Sequence, residues 1–134
     1  MSHGNFDTLP EAISDVWSLQ ALHVTVCRYL IKLPESIGKL QKLRTLNLSG
    51  CDSPMNLPDS VGDCHMISSL DLSNCKSIPV LPNSIGRNKK LRELRLQSTK
   101  IERLPSSVTT LGNLELLDLR WCCKILELIK ASES

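Results

Sequence analysis

Aromatic side chains are nearly missing from this 134-residue chain, which has one phenylalanine, one tyrosine and two tryptophans. A surface that stacks on single-stranded bases needs rings interleaved with cations, so nucleic acid is not an expected partner. Charge of one sign is lacking as well. Sixteen Lys and Arg against fourteen Asp and Glu leave a formal +2, so the basic run Arg87-Asn88-Lys89-Lys90, with Lys39 and Lys42 earlier in the chain, reads as a solvated face. No apolar run approaches the roughly 18 residues of a membrane-spanning helix. Residues 1–8, MSHGNFDT, have neither a basic flank nor an apolar centre. The sequence therefore predicts no secretory leader and favours the cytoplasm, with no membrane partner. A phosphate-cradling loop is also wanting. The one Gly-Lys pair, Gly38-Lys39, runs into Leu40 and has no glycine at the required upstream position.

What the chain has instead is repetition. Leu-Pro stands at Leu9-Pro10, Leu33-Pro34, Leu57-Pro58, Leu81-Pro82 and Leu104-Pro105, at intervals of 24, 24, 24 and 23 residues. Behind each pair one frame returns: Leu19/Leu22/Val24/Cys27, Leu43/Leu46/Leu48/Cys51, Ile67/Leu70/Leu72/Cys75, Leu91/Leu94/Leu96/Thr99 and Leu114/Leu117/Leu119/Cys122. A fixed period of this length carrying LxxLxLxx(N/C) is the signature of leucine-rich repeats. The predicted fold is an α/β leucine-rich-repeat solenoid over residues 1–134, curved, with about five repeats.

The physics of one coil accounts for the residue types. Alternation in Leu46-Asn47-Leu48 gives a short strand with leucines inward and the residue between them outward. Each coil then donates one strand to a parallel sheet, and the rest of the coil supplies the long return that parallel strands need. Ile37, Leu40 and Leu43 fall every third residue, as do Val108, Leu111 and Leu114, a spacing suited to a 3₁₀ or irregular turn on the convex side. Each proline separates strand from turn. Gly38, Gly62 and Gly86 suit a tight bend or close packing. The frame departs at Asn88, where an apolar residue is usual, at Thr99, followed by a one-residue deletion, and at Ile129, where proline is expected. A single coil cannot bury its leucines alone. Uncapped ends exposing Ile13, Leu19 and Leu22 at one side and Leu117 and Leu119 at the other lead us to expect a piece of a longer array.

Six cysteines invite a metal or disulfide reading, but Cys27, Cys51, Cys75 and Cys122 share one station of the repeat. A straight row does not offer the tetrahedral convergence of zinc. Neighbouring thiols lie within disulfide distance, yet a reducing compartment keeps them free. They are expected to be buried, with weak S–H donors turned to loop carbonyls, and Cys64 at a convex station is expected in the core. Of the adjacent Cys122-Cys123 pair, one side chain is expected inward and one outward. Neither metal, cofactor nor catalytic group is expected. The residues between the strand leucines form the row His23, Asn47, Asp71, Arg95, Asp118, in which His23 and Asp71 are about 10 Å apart, too far for an acid–base pair. His65 reads as a solvated loop residue.

The same row marks the candidate protein-binding surface on the inner sheet: His23, Asn47, Asp71, Arg92, Arg95, Asp118, Arg120 and Trp121. Arg92 should face Glu115, and Leu116 should lie near Glu93. Trp121 takes the strand-end station held elsewhere by Val26, Gly50, Asn74 and Ser98, and an exposed aromatic beside an arginine has the character of a binding hot spot. Asn47-Leu48-Ser49 is a glycosylation sequon that matters only in a secreted protein.

LPESIGKLQKLRTLNLSGC, LPDSVGDCHMISSLDLSNC and LPNSIGRNKKLRELRLQST resemble the LPxSIGxLxxLxxLxLxxC repeats of plant intracellular nucleotide-binding leucine-rich-repeat disease-resistance proteins. The resemblance implies a non-enzymatic recognition and autoinhibition module. Its implied partners are a pathogen effector or a guarded host protein, and intramolecularly a nucleotide-binding domain. Two alternatives stay open: a receptor-kinase ectodomain segment, whose repeats usually read LxxNxLxGxIP, and a cytosolic scaffold for small-GTPase signalling.

Overall fold

Proline sets the entry to every turn of the coil. Pro10, Pro34, Pro58, Pro82 and Pro105 all sit at φ between −62° and −71° with extended ψ, the value its ring imposes. Each proline carbonyl then accepts the N–H three residues on, from Ile13, Ile37, Val61, Ile85 and Val108, at 3.0–3.1 Å. The 3₁₀ helices that follow are Glu11–Asp15, Glu35–Lys39, Asp59–Asp63, Asn83–Arg87 and Ser106–Thr110. The computed structural model describes residues 9–26, 32–51, 57–75 and 81–122. Cys27, Cys123 and Ile129, on which the repeat pattern also bears, lie outside the described residues.

Each helix leads into a three-residue strand: β1 (Ala21–His23), β2 (Thr45–Asn47), β3 (Ser69–Asp71), β4 (Glu93–Arg95) and β5 (Leu116–Asp118). They form one parallel sheet in sequence order. Leu22, Leu46, Leu70, Leu94 and Leu117 stand opposite one another in register. The one-residue deletion after Thr99 is absorbed outside the strands, because Leu94 still pairs with Leu117. This is the parallel-strand, 3₁₀-turn architecture of a leucine-rich-repeat solenoid, as the period predicts.

The three-residue spacing places Ile37, Leu40 and Leu43 on one side of the turn, and all three are fully buried together with Leu46 and Leu48 of the same coil. Removing one such side chain from water is worth about 1.5–3 kcal/mol. Ile13, Leu19, Leu22, Val108, Leu114 and Leu119 of the outer coils are only partly buried, and Leu117 is exposed.

Neighbouring coils touch most closely at glycine. A Cβ on Gly62 would lie 2.5 Å from the Ser84 carbonyl oxygen, and one on Gly38 would lie 2.8 Å from that of Ser60. Neither glycine has positive φ, so of the two roles glycine could play here it serves close approach rather than a bend.

The thiols bridge coils in the same way. Cys75 Sγ donates to Leu48 O at 3.0 Å, Cys51 to Val24 O at 3.5 Å and Cys122 to Leu96 O at 2.8 Å. Cys64 does so on the convex side, to Ile37 O at 3.2 Å. Asn88 is buried and takes over that convex role with a better donor: its Nδ2 reaches Val61 O at 3.1 Å and Cys64 O at 3.0 Å. A leucine there would leave both carbonyls without these bonds. Thr99, in the cysteine column, turns its hydroxyl to Leu96 O at 2.8 Å.

Candidate protein-binding face

The sheet presents its outward side chains in columns because the register never slips. His23, Asn47, Asp71, Arg95 and Asp118 are paired strand to strand, at a spacing of roughly 4.8 Å. Arg92 precedes β4, while Arg120 and Trp121 follow β5, so all eight candidate residues lie along the strand side of the coil.

This row also works on the backbone. Asn47 Oδ1 accepts the N–H of Ser49 at 3.0 Å, Asp71 Oδ1 that of Ser73 at 2.9 Å, and Asp118 Oδ1 that of Arg120 at 3.2 Å. Each is a short polar side chain closing a turn two residues on. Asn and Asp at this station therefore end the strand as well as facing outward. His23 and Arg95 face outward without closing such a turn.

The turn that follows runs through a left-handed residue. Val26, Gly50, Asn74, Ser98 and Trp121 all have φ between 55° and 76°. Glycine and asparagine take that region readily, whereas a β-branched valine or a tryptophan does so at a cost. The N–H groups of Val26, Gly50, Asn74 and Ser98 each bond to a carbonyl of the next coil at 2.8–3.0 Å, which fixes the turn regardless of residue type. Trp121 shares the left-handed φ and is 77% exposed. Gly50 and Asn74 in the column carry the sequence signal for the left-handed turn; the spacing of leucines does not.

Ion pairs organise the C-terminal strands. Arg92 Nη2 meets Glu115 at 3.0 Å and Arg95 Nη2 meets Glu93 at 3.8 Å. Arg120 binds Asp118 through Nε at 2.9 Å and Nη2 at 2.8 Å, and Nη2 also reaches Gln97 Oε1 at 2.7 Å. These bonds hold the Asp118 carboxyl below the usual carboxylate range, with Arg95 adding a smaller field. They raise the Arg120 guanidinium in turn. Asp118 is only 7% exposed. Its part in the face is to position Arg120, not to meet solvent. The exposed groups are then His23, Arg92, Arg120 and Trp121, with Asn47, Asp71 and Arg95 half-buried.

Among the described residues no three His, Cys, Asp or Glu side chains gather where a metal could bind. No helix among them is long and apolar enough to cross a membrane. Burial, with the Asp63 charge beside it, pushes the Cys64 thiol up to about 11. The Cys75 thiol is raised further, first by its hydrogen bond with Cys51 and then by burial. Such thiols stay protonated and unreactive at neutral pH.

Residues 42–64 match the Leucine Rich Repeat family model, and the sequence matches no curated protein. The fold is similar to that of a leucine-rich-repeat protein of Leptospira interrogans, at 29% identity and TM-score 0.73, covering 87% of this chain and 29% of that one. It is similar to the leucine-rich-repeat ectodomain of the receptor kinase SOBIR1 from Arabidopsis thaliana, at 19% identity and TM-score 0.69, covering 85% and 62%. It also resembles a chain of the BIR3–SERK2 complex from Arabidopsis thaliana, at 28% identity and TM-score 0.64, covering 77% and 56%. The chain thus spans less than two thirds of the length of each of these proteins.

Proposed function

We propose that this chain is a non-enzymatic protein-recognition segment that grips its partner with the strand side of the coil. The observation that carries the reading is the in-register row of outward side chains, held by strand pairing and by the Asn47, Asp71 and Asp118 turns. A rigid array of this kind needs little ordering on binding. Exposed Trp121, beside an arginine already oriented by Asp118 and Gln97, has the size and placement of an anchor. The likeness to a chain of a two-protein complex supports a protein partner.

The finer reading is a plant intracellular immune receptor. Its repeat segment would contact a pathogen effector or a guarded host protein, and would restrain a nucleotide-binding domain in the same polypeptide. The LPxSIGxLxxLxxLxLxxC phrasing supports it. So do the buried thiols of Cys64, Cys75 and Cys122, which suit a reducing cytoplasm. The second reading, a receptor-kinase ectodomain segment, is favoured by the likeness to the SOBIR1 ectodomain and by the Asn47 sequon.

The full-length transcript discriminates the two. The first reading expects a nucleotide-binding domain encoded beside the repeats, and co-precipitation of that domain with residues 1–134 expressed separately. A transmembrane span and a kinase in its place would contradict it.

A further inference from the structure

Where each coil turns from its 3₁₀ helix into the sheet, a rim runs along the N-terminal ends of the strands. Arg44, Ser68, Arg92 and Glu115 follow one another on it, each N–H bonded to the preceding coil's carbonyl at the same station at 2.8–2.9 Å. The turns behind them add Lys42, Met66 and Lys90. A groove opens between these two rows, lined by Arg44, Met66, Ser68, Lys90, Arg92 and Glu115 among others.

Two cations of this rim, Arg44 and Lys90, have no acid partner among the described residues, whereas Arg92 is paired with Glu115. Arg44 is exposed, and its side chain makes no hydrogen bond or ion pair among the described residues. Lys90 Nζ lies 3.4 Å from Met66 Sδ, Lys89 Nζ bonds Thr110 Oγ1 at 3.1 Å, and Lys42 Nζ stands 5.2 Å over the Trp17 ring. Elsewhere Arg87 is matched to Asp63, Arg95 to Glu93 and Arg120 to Asp118.

The groove also shows what fits it. Glu115 places both carboxylate oxygens on Arg92 Nη2, at 3.0 and 3.2 Å. On the other side of Arg92 the next rim residue is Ser68, small and half-buried, and beyond it stands Arg44. A carboxylate over Ser68 would meet Arg92 from the side opposite Glu115, with Arg44 and Lys90 both within side-chain reach.

We propose that this rim groove is a docking site for an acidic segment of a partner protein, one Asp or Glu carboxylate seated over Ser68 between Arg44 and Arg92, and an adjoining apolar side chain resting on Met66. The neighbouring Glu115 is a carboxylate and not a phosphate, and among the described residues that line the groove there is no aromatic ring. Both favour an acidic peptide over nucleic acid, which asks for open stacking surfaces. The inference goes beyond the strand-face reading, sharing only Arg92 with it.

The test is fluorescence anisotropy on the whole 134-residue chain with a labelled peptide alternating Glu and Leu, against its Gln-for-Glu analogue. The acidic peptide is expected to bind, more weakly as salt is added, and the analogue to bind less. Arg44→Ala and Lys90→Ala should each weaken binding about threefold, as loss of one exposed charge pair allows, and Arg44→Lys should recover part of it. Glu115→Gln, which frees Arg92, should tighten it. Lys39→Ala, the same charge loss on the convex turn, should leave it unchanged. Circular dichroism of each variant separates lost binding from lost fold. Equal loss from Lys39→Ala and Arg44→Ala, or no preference for Glu over Gln, would overturn the site. Displacement by a single-stranded oligonucleotide at lower concentration than unlabelled peptide would overturn the assignment of the partner. The assay needs no cognate partner, so its outcome is independent of which face such a partner grips.

Discussion

Arg120 grips the carboxylate of Asp118, two residues before it, with its backbone N–H at 3.2 Å, its Nε at 2.9 Å and its Nη2 at 2.8 Å. Two residues of one turn thereby set the side chain that stands next to Trp121. The pair has a pH signature. Asp118 titrates below an ordinary carboxylate in the folded protein, so its contribution is fully present above the unfolded value of about 4. It is lost as pH falls through the lower folded value. Urea unfolding of the wild type and Asp118→Asn should differ by a constant amount between pH 7 and about 5 and converge in more acid solution. A gap that widens on acidification would contradict the pairing. Asn keeps the acceptor for the Arg120 N–H, so the comparison isolates the charge.

Glycine between coils gives a second expectation. Gly62→Ala would press a Cβ to 2.5 Å from the Ser84 carbonyl oxygen, whereas one on Gly112 meets nothing within 4 Å. Overpacking of this kind costs about 1–3 kcal/mol. Denaturant unfolding should show that loss for Gly62→Ala and little change for Gly112→Ala. Equal stability of the two would mean that the coils separate more easily than the packing implies.

Asn88→Asp tests the polar bridge on the convex side. The exchange alters almost no volume but replaces a donor to the Val61 and Cys64 carbonyls with a buried acid. Removing such a donor costs roughly 1–3 kcal/mol, more if the acid ionises. The variant should be destabilised, and more so at pH 8 than at pH 5. Wild-type stability at both values would show that Asn88 does not carry the bridge.

The thiols test the compartment. Alkylation under denaturing, non-reducing conditions should label all six cysteines of protein taken from cells. Native alkylation at pH 8 should spare Cys64 and Cys75, whose thiols are raised in pKa. A recovered Cys51–Cys75 disulfide would contradict the cytoplasmic proposal.

Much of the fold was legible because a repeat writes the same instruction five times. The 24-residue period, the alternation around Leu46 and Leu48, and the three-residue spacing of Ile37, Leu40 and Leu43 each name one local geometry, and the coil is the geometry that satisfies all three. The outward column followed from the same alternation. Less legible was which members of that column are available. Asp118 carries the same residue type as Asp71, and its burial depends on where the side chain of Arg120 turns. The left-handed station was visible as a column but not as a conformation, because Val26 and Trp121 do not announce positive φ. The rim groove is assembled from Arg44, Met66 and Lys90, residues 22 and 24 apart in sequence that become neighbours only through stacking.

The central claim is that the strand side meets the partner. The most direct measurement is site-specific photocrosslinking in cells that express the chain. p-Benzoylphenylalanine would be placed either at Ser69, half-buried on β3, or at Lys39, exposed on the convex turn. The account predicts a discrete protein adduct from position 69, lost when Trp121→Ala is added, and none from position 39. An adduct from position 39 with none from position 69 would contradict it.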